Sequence, residues 1–162
     1  SGPFNYPTEL VPAPSGDLYV SDGYRNARVH RFSPDGRLLA SWGEPGKDGP
    51  NQFHLPHSIM VDIDGLVYVC DRENHRVQVF SPDGQFLDQW TDFKFPMGIH
   101  IDDNQIVYVT DQVPRLSIYT LDGELLARGR TFENCHNVYT DSRGYLYGVD
   151  TANQRVQKFA KV

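Results

Sequence analysis

The sequence has few cysteines, no strong excess of charge and no long apolar run. Its 162 residues include only two cysteines, Cys70 and Cys135. That is too few for a disulfide framework, and the pair reads either as two reduced thiols or as one bridge. Lysine and arginine number 15 against 21 acidic residues, giving a net charge of -6. The basic residues are scattered, so the stripe that marks a nucleic-acid binder is missing and no such partner is expected. No apolar run approaches the roughly 20 residues a membrane helix needs, so no membrane partner is expected either. No signal peptide is visible, but the chain opens on Ser1 rather than methionine, so this says little about the parent protein. Helical periodicity of useful length is also missing, which points to an all-β fold.

What the chain does have is repetition. Four segments align: DLYVSDGYRNARVHRFSPDG from Asp17, LVYVCDRENHRVQVFSPDG from Leu66, IVYVTDQVPRLSIYTLDG from Ile106 and YLYGVDTANQRVQKF from Tyr145. Each has an apolar run ending in aspartate (Asp22, Asp71, Asp111, Asp150), then a polar turn and an alternating strand ending in an aromatic. Three Asp-Gly turns, at Asp35-Gly36, Asp83-Gly84 and Asp122-Gly123, lead into a further short strand. Another short strand precedes each segment. About 40 residues per four-stranded unit is the signature of a β-propeller blade. One propeller domain over 1–162 is expected, with blades near 5–43, 53–92, 94–130 and 134–162. The insertion EPGKDGPNQ before the second blade reads as a surface loop.

The xVYVxDxxNxRVQxF core of these units, clearest in DRENHRVQVF (71–80) and DTANQRVQKF (150–159), resembles the NHL repeat family of propellers. Six blades are usual in that family, and the fourth unit stops after its third strand. The chain is therefore expected to be about two thirds of a six-bladed ring, unless copies assemble to close one. An open arc would expose two apolar flanks and favour self-association through its blade edges.

Register picks out two histidines. His57 and His136 are 79 residues apart, the same spacing as Asp71 to Asp150 and Phe80 to Phe159. They share one repeat position, at the entrance to the first strand, which lines the central channel of a propeller. Thr8 and Met97 hold that position in the other two blades. Imidazoles on alternate blades would be completed by a third, two blades before His57 and outside this chain. Three converging histidines make the tripod of a catalytic zinc site. The competing reading is a pair of strand-end hydrogen bonders. His30, His75 and His100 read as ordinary half-exposed residues, and His54 as part of the loop before the strand.

Residues 5–80 are also similar to the catalytic core of peptidyl-α-hydroxyglycine α-amidating lyases and their bacterial homologues. The motifs that carry the resemblance are PT (7–8), SDGYxNxR (21–28), FSPDG (32–36), WGE (42–44), QFxLPHS (52–58) and DRENxRVQ (71–78). The resemblance implies a zinc lyase that cleaves the C–N bond of a peptidyl-α-hydroxyglycine to peptide amide and glyoxylate. It implies His57 and His136 as metal ligands, Tyr24 as the base and Arg72 as an active-site cation. The competing readings are a turn-filling Tyr24 and an Arg72 paired with a neighbouring blade's aspartate. The family's histidine motif PHD is CHN here, with Cys135 in place of proline and Asn137 in place of an acid that helps bind calcium. Asn137 is thus a possible calcium or supporting ligand with one charge fewer. The implied partner is a small peptide substrate, and the implied location is secreted or periplasmic. The alternative function is a non-catalytic NHL scaffold that binds a protein or peptide. A lactonase-like enzyme would need acidic ligands at the channel, and none stands at the matching positions.

Overall fold

A computed structural model of the chain describes residues 2–160. Among the described residues the fold is all-β, with a single 3-10 turn at Arg72–Asn74. Blade 1 comprises β1 (Glu9–Pro12), β2 (Leu18–Asp22), β3 (Arg28–Phe32) and β4 (Leu38–Trp42). Two short strands follow, β5 (Glu44–Pro45) and β6 (Gln52–Phe53). Blade 2 comprises β7 (Pro56–Val61), β8 (Val67–Asp71), β9 (Arg76–Phe80) and β10 (Phe86–Trp90). Blade 3 comprises β11 (Pro96–Ile101), β12 (Val107–Asp111), β13 (Arg115–Tyr119) and β14 (Leu125–Arg130). Blade 4 comprises β15 (Cys135–Thr140), β16 (Leu146–Asp150) and β17 (Arg155–Phe159). Each blade is an antiparallel sheet whose strands pair in chain order. Three sheets have four strands and the fourth has three.

The repeat aspartate explains why these sequences fold alike. Asp71 accepts hydrogen bonds from Asn74 Nδ2 (2.8 Å), Arg76 Nε (2.8 Å) and Gln78 Nε2 (3.1 Å), and from the His54 backbone N–H (2.8 Å). Asn, Arg and Gln of the DxxNxRVQ core therefore converge on one buried carboxylate, as they do again around Asp150. Burial alone would penalise that charge and raises the Asp71 pKa, while these donors lower it. A second repeated device closes the first hairpin of blades 2 to 4. Asp62, Asp102 and Asp141 each cap turn N–H groups and accept the hydroxyl of the tyrosine six residues on.

Apolar faces of adjacent blades make the core. Tyr19, Val29 and Trp42 pack on Ile59, Val67, Val69 and Phe80 between blades 1 and 2. Tyr68, Cys70, Val77 and Trp90 pack on Ile99, Val107, Val109 and Tyr119 between blades 2 and 3. On blade 4 the matching onward face is open. Val156, the register partner of Val77, is 64% exposed, whereas Val77 is fully buried.

The structure adds detail at three points and corrects the reading at the second. The insertion is a surface loop whose ends pair as a parallel ladder, Glu44 with Gln52 and Pro45 with Phe53. Its backbone is pinned by Asn74, Arg76 and Gln78, whose donors reach Gly46 O, Gly49 O and Gln52 O. His30 and His100 are buried rather than half-exposed, His30 bonding to Asp22 and Ser41 and His100 to Thr140. Cys70 and Cys135 are free, buried thiols. Burial pushes the Cys135 thiol up to about 11, so it stays protonated beside His136.

Candidate functional site

The first strands of the blades converge on the channel, and those of blades 2 to 4 each begin from a strained residue. Leu55 (φ 64°), Phe95 (φ 55°) and Asn134 (φ 55°) are left-handed immediately before β7, β11 and β15. Such a conformation costs on the order of 1–3 kcal/mol for a bulky residue. Backbone bonds hold two of these residues in place: Arg72 N–H to Leu55 O (3.2 Å) and Gln112 N–H to Phe95 O (3.1 Å). A β-bulge follows at once. Register slips between Pro56 and Ser58, between Pro96 and Gly98, and between Cys135 and Val138. His57, Met97 and His136 therefore lie in bulges, the irregularity that re-aims a side chain out of the ladder.

The two bulge histidines meet. Their ring centroids are 4.8 Å apart, edge to face. His57 is 5% exposed, and its Nδ1 lies 2.7 Å from Met97 O. A carbonyl only accepts, so Nδ1 carries the proton and Nε2 keeps its lone pair. Burial, opposed by the Met97 bond but reinforced by the charges of His136 and Arg72, lowers the His57 pKa to about 4. Burial and Arg72 also lower His136, while Glu9 raises it. Both rings are thus favoured as neutral imidazoles, the form that binds metals.

Tyr24 and Arg72 are at the same place. The Tyr24 hydroxyl is 3.5 Å from His57 Nε2, and the two rings are edge to face with centroids 6.1 Å apart. Tyr24 stays 53% exposed, so its hydroxyl borders both solvent and the imidazole. Gly23 makes this approach possible, since a Cβ there would lie 2.1 Å from Pro56 O. Arg72 pairs with its own neighbour Glu73 (2.8 Å) rather than with an aspartate of another blade. Its charge is still felt by both histidines.

Asn137 is engaged at both ends. Its Oδ1 accepts the Val138 N–H (2.8 Å) and its Nδ2 donates to Glu9 Oε1 (3.2 Å). Glu9 is the residue sequence reading overlooked. Its other oxygen accepts the Ser58 hydroxyl and the Ile59 N–H (2.9 Å). The available signal was register: Glu9, Ser58, Gly98 and Asn137 each follow the position of Thr8, His57, Met97 and His136.

His57 and His136 bring to one place two imidazoles, the side-chain type that commonly ligates metals. Among the described residues no group of three or more His, Cys, Asp or Glu side chains is placed to hold an ion.

Blades of four antiparallel strands around a shared channel define a β-propeller. Residues 53–80 match the NHL repeat, and the same strand pattern recurs in the other blades. A peptidyl-glycine alpha-amidating monooxygenase B of Xenopus laevis is 41% identical over 76 residues, 44% of this chain and 9% of that protein. NHL repeat-containing protein 3 of Homo sapiens is 41% identical over 73 residues, 44% of this chain and 21% of that one. Peptidyl-alpha-hydroxyglycine alpha-amidating lyase 1 of Drosophila melanogaster is 38% identical over 79 residues, 44% and 15% of the two chains. The match thus spans only a small part of each relative's length. A solved Bacteroides caccae protein of unknown function superposes with a TM-score of 0.75 at 17% identity, over 94% of this chain and 62% of that one. That last likeness speaks to the fold alone.

Proposed function

We propose that this chain supplies part of a zinc-dependent lyase site that cleaves peptidyl-α-hydroxyglycine to a peptide amide and glyoxylate. The observation that carries the reading is the meeting of His57 and His136 across 79 residues, with the Tyr24 hydroxyl 3.5 Å from His57 Nε2. The resemblance to amidating lyases supports it.

His57 and His136 would hold the ion, His57 through the Nε2 that its Met97 bond leaves free. When bound, zinc acidifies a hydroxyl and acts as a Lewis acid toward substrate oxygens. Tyr24, beside the histidine pair and open to solvent, takes the proton of the substrate's α-hydroxyl. As the C–N bond breaks, the hydroxyl carbon becomes the aldehyde of glyoxylate and the amide nitrogen takes up a proton. Arg72 offers a planar, permanently charged fork for the substrate's terminal carboxylate, a role for which it must share its guanidinium with Glu73.

The test is metal content and turnover of the intact protein with an α-hydroxyglycine peptide. Stoichiometric zinc, lost in His57→Ala and His136→Ala together with amide formation, is the expected result. Zinc retained in both variants would remove the metal site. A second reading is a non-catalytic propeller that binds a protein or peptide, which the NHL repeat match leaves equally open. Partner binding that survives both histidine substitutions, with no turnover, would select it.

A further inference from the structure

We infer that Glu9 is a positioning residue for the histidine pair, an inference that rests on the metal-site reading above. Glu9 is on β1 of blade 1, one residue past the repeat position that His57 and His136 hold in their own blades. Its carboxylate nevertheless reaches two other blades. One oxygen accepts the Ser58 hydroxyl and the Ile59 N–H (2.9 Å), and the other accepts Asn137 Nδ2 (3.2 Å). Ser58 directly follows His57, and Asn137 directly follows His136. One side chain therefore grips the residue next to each imidazole.

The grip matters because both histidines are in bulges, where the ladder no longer fixes side-chain direction. Ser58 Oγ also accepts the Ile99 N–H (3.1 Å), which extends the tie to blade 3. Asn137 turns its Oδ1 to its own chain, so its amide is oriented and only Nδ2 is free to face Glu9. Gly98, at the same register in blade 3, leaves the room: a Cβ there would meet Asn137 Oδ1 at 2.6 Å. Charge-assisted bonds of this kind are about twice as strong as neutral ones and specify geometry. Partners bonded directly to metal ligands typically change metal affinity by about 10- to 100-fold when lost, and Glu9 acts on the same orientation from one residue away.

The experiment is zinc competition against a chromophoric chelator in calcium-free buffer, with the visible spectrum of the cobalt(II)-loaded protein as a geometric readout. In Glu9→Gln one carboxamide end must oppose a donor, either Asn137 Nδ2 or the Ser58–Ile59 pair. Zinc binding is expected to weaken tenfold or more and the cobalt bands to shift. The reversed pair Glu9→Gln with Asn137→Asp restores one donor facing one acceptor and should recover both. Urea unfolding of the metal-free forms separates positioning from simple loss of stability. Unchanged affinity and spectrum in Glu9→Gln, while His57→Ala and His136→Ala lose zinc, would overturn the positioning role and leave the metal site standing. A weakening that only follows metal-free stability, without rescue by the reversed pair, would overturn it too. Zinc retained by both histidine variants would remove the metal site and, with it, the positioning role.

Discussion

The rings of His57 and His136 meet with centroids 4.8 Å apart and planes inclined at 65°. Two blades and 79 residues separate them in sequence, so the contact exists only because the propeller brings equivalent positions to one axis. Each ring is in a bulge, and each bulge follows a residue in a left-handed backbone state. Strain and irregular pairing recur where the chemistry-bearing side chains converge, which is where such features concentrate in proteins.

Acid should destabilise the metal-free protein through His57. Its folded pKa is lowered to about 4, from an unperturbed 6.5. A lowered imidazole pKa means that the unfolded chain takes the proton first. The stability from neutral His57 is therefore complete above about pH 6.5 and is lost as pH falls toward 4. A shift of this size corresponds to roughly 3 kcal/mol over the whole window. Urea unfolding at pH 7.5 and 4.5 should show a smaller pH effect in His57→Asn, which keeps a donor for Met97 O but cannot titrate. An equal pH effect in both proteins would refute the assignment.

Gly98→Val should separate the blades that carry the site. A Cβ at Gly98 would lie 2.6 Å from Asn137 Oδ1 and 2.7 Å from Asn137 Cα, so backbone must move. Overpacking of this kind costs about 1–3 kcal/mol. The displaced segment holds His136, so zinc affinity should fall further than in a variant of equal stability loss remote from the channel. Melting temperatures and zinc titrations on the two variants together decide the point.

Two arginines at one repeat position should differ in cost. Arg76 bonds Asp71, Gln89 and two loop carbonyls, and its side chain is 7% exposed. Removing one partner from such a buried pair costs about 3–5 kcal/mol. Arg155 makes the same bond to Asp150 but is 57% exposed. Arg76→Ala should lower the urea midpoint far more than Arg155→Ala. Equal losses would show that the repeat aspartate, rather than burial, sets the cost.

Much of this architecture was legible because the repeat writes it four times. The aspartate, the Asp-Gly turns and the 79-residue spacing locate strands, hairpins and the histidine pair without any contact information. Glu9 was hidden because its role depends on which residues of other blades face it. No local pattern marks a lone glutamate in PTELVP as a bridge to Ser58 and Asn137. His30 and His100 were misjudged for a related reason. Strand alternation says which face a side chain takes, and the packing of other segments decides whether that face is covered. For His30 part of the cover is Phe4, whose ring centroid is 5.5 Å away.

Gly129→Trp should stabilise the protein. Trp42 pairs with Val29 and Trp90 with Val77, and Gly129 pairs with Leu116 at the same place in blade 3. The two tryptophans close their joints against the Asp-Gly turn of the next blade. A Cβ at Gly84 or Gly123 would meet Trp42 or Trp90 at 2.5 Å. Blade 3 has no such ring, and a cavity of about 390 Å³ opens among Leu116, Ile118, Ala127, Leu146 and Phe159. A Cβ on Gly129 meets no atom within 4 Å, so the new side chain starts in free space. Filling the cavity with an indole and replacing a strand glycine both favour the folded state, by about 1–2 kcal/mol together. The melting temperature should rise by several degrees, and the new tryptophan should fluoresce at short wavelength as a buried indole. A lower melting temperature with exposed-type emission would mean that the joint between blades 3 and 4 does not accept the ring.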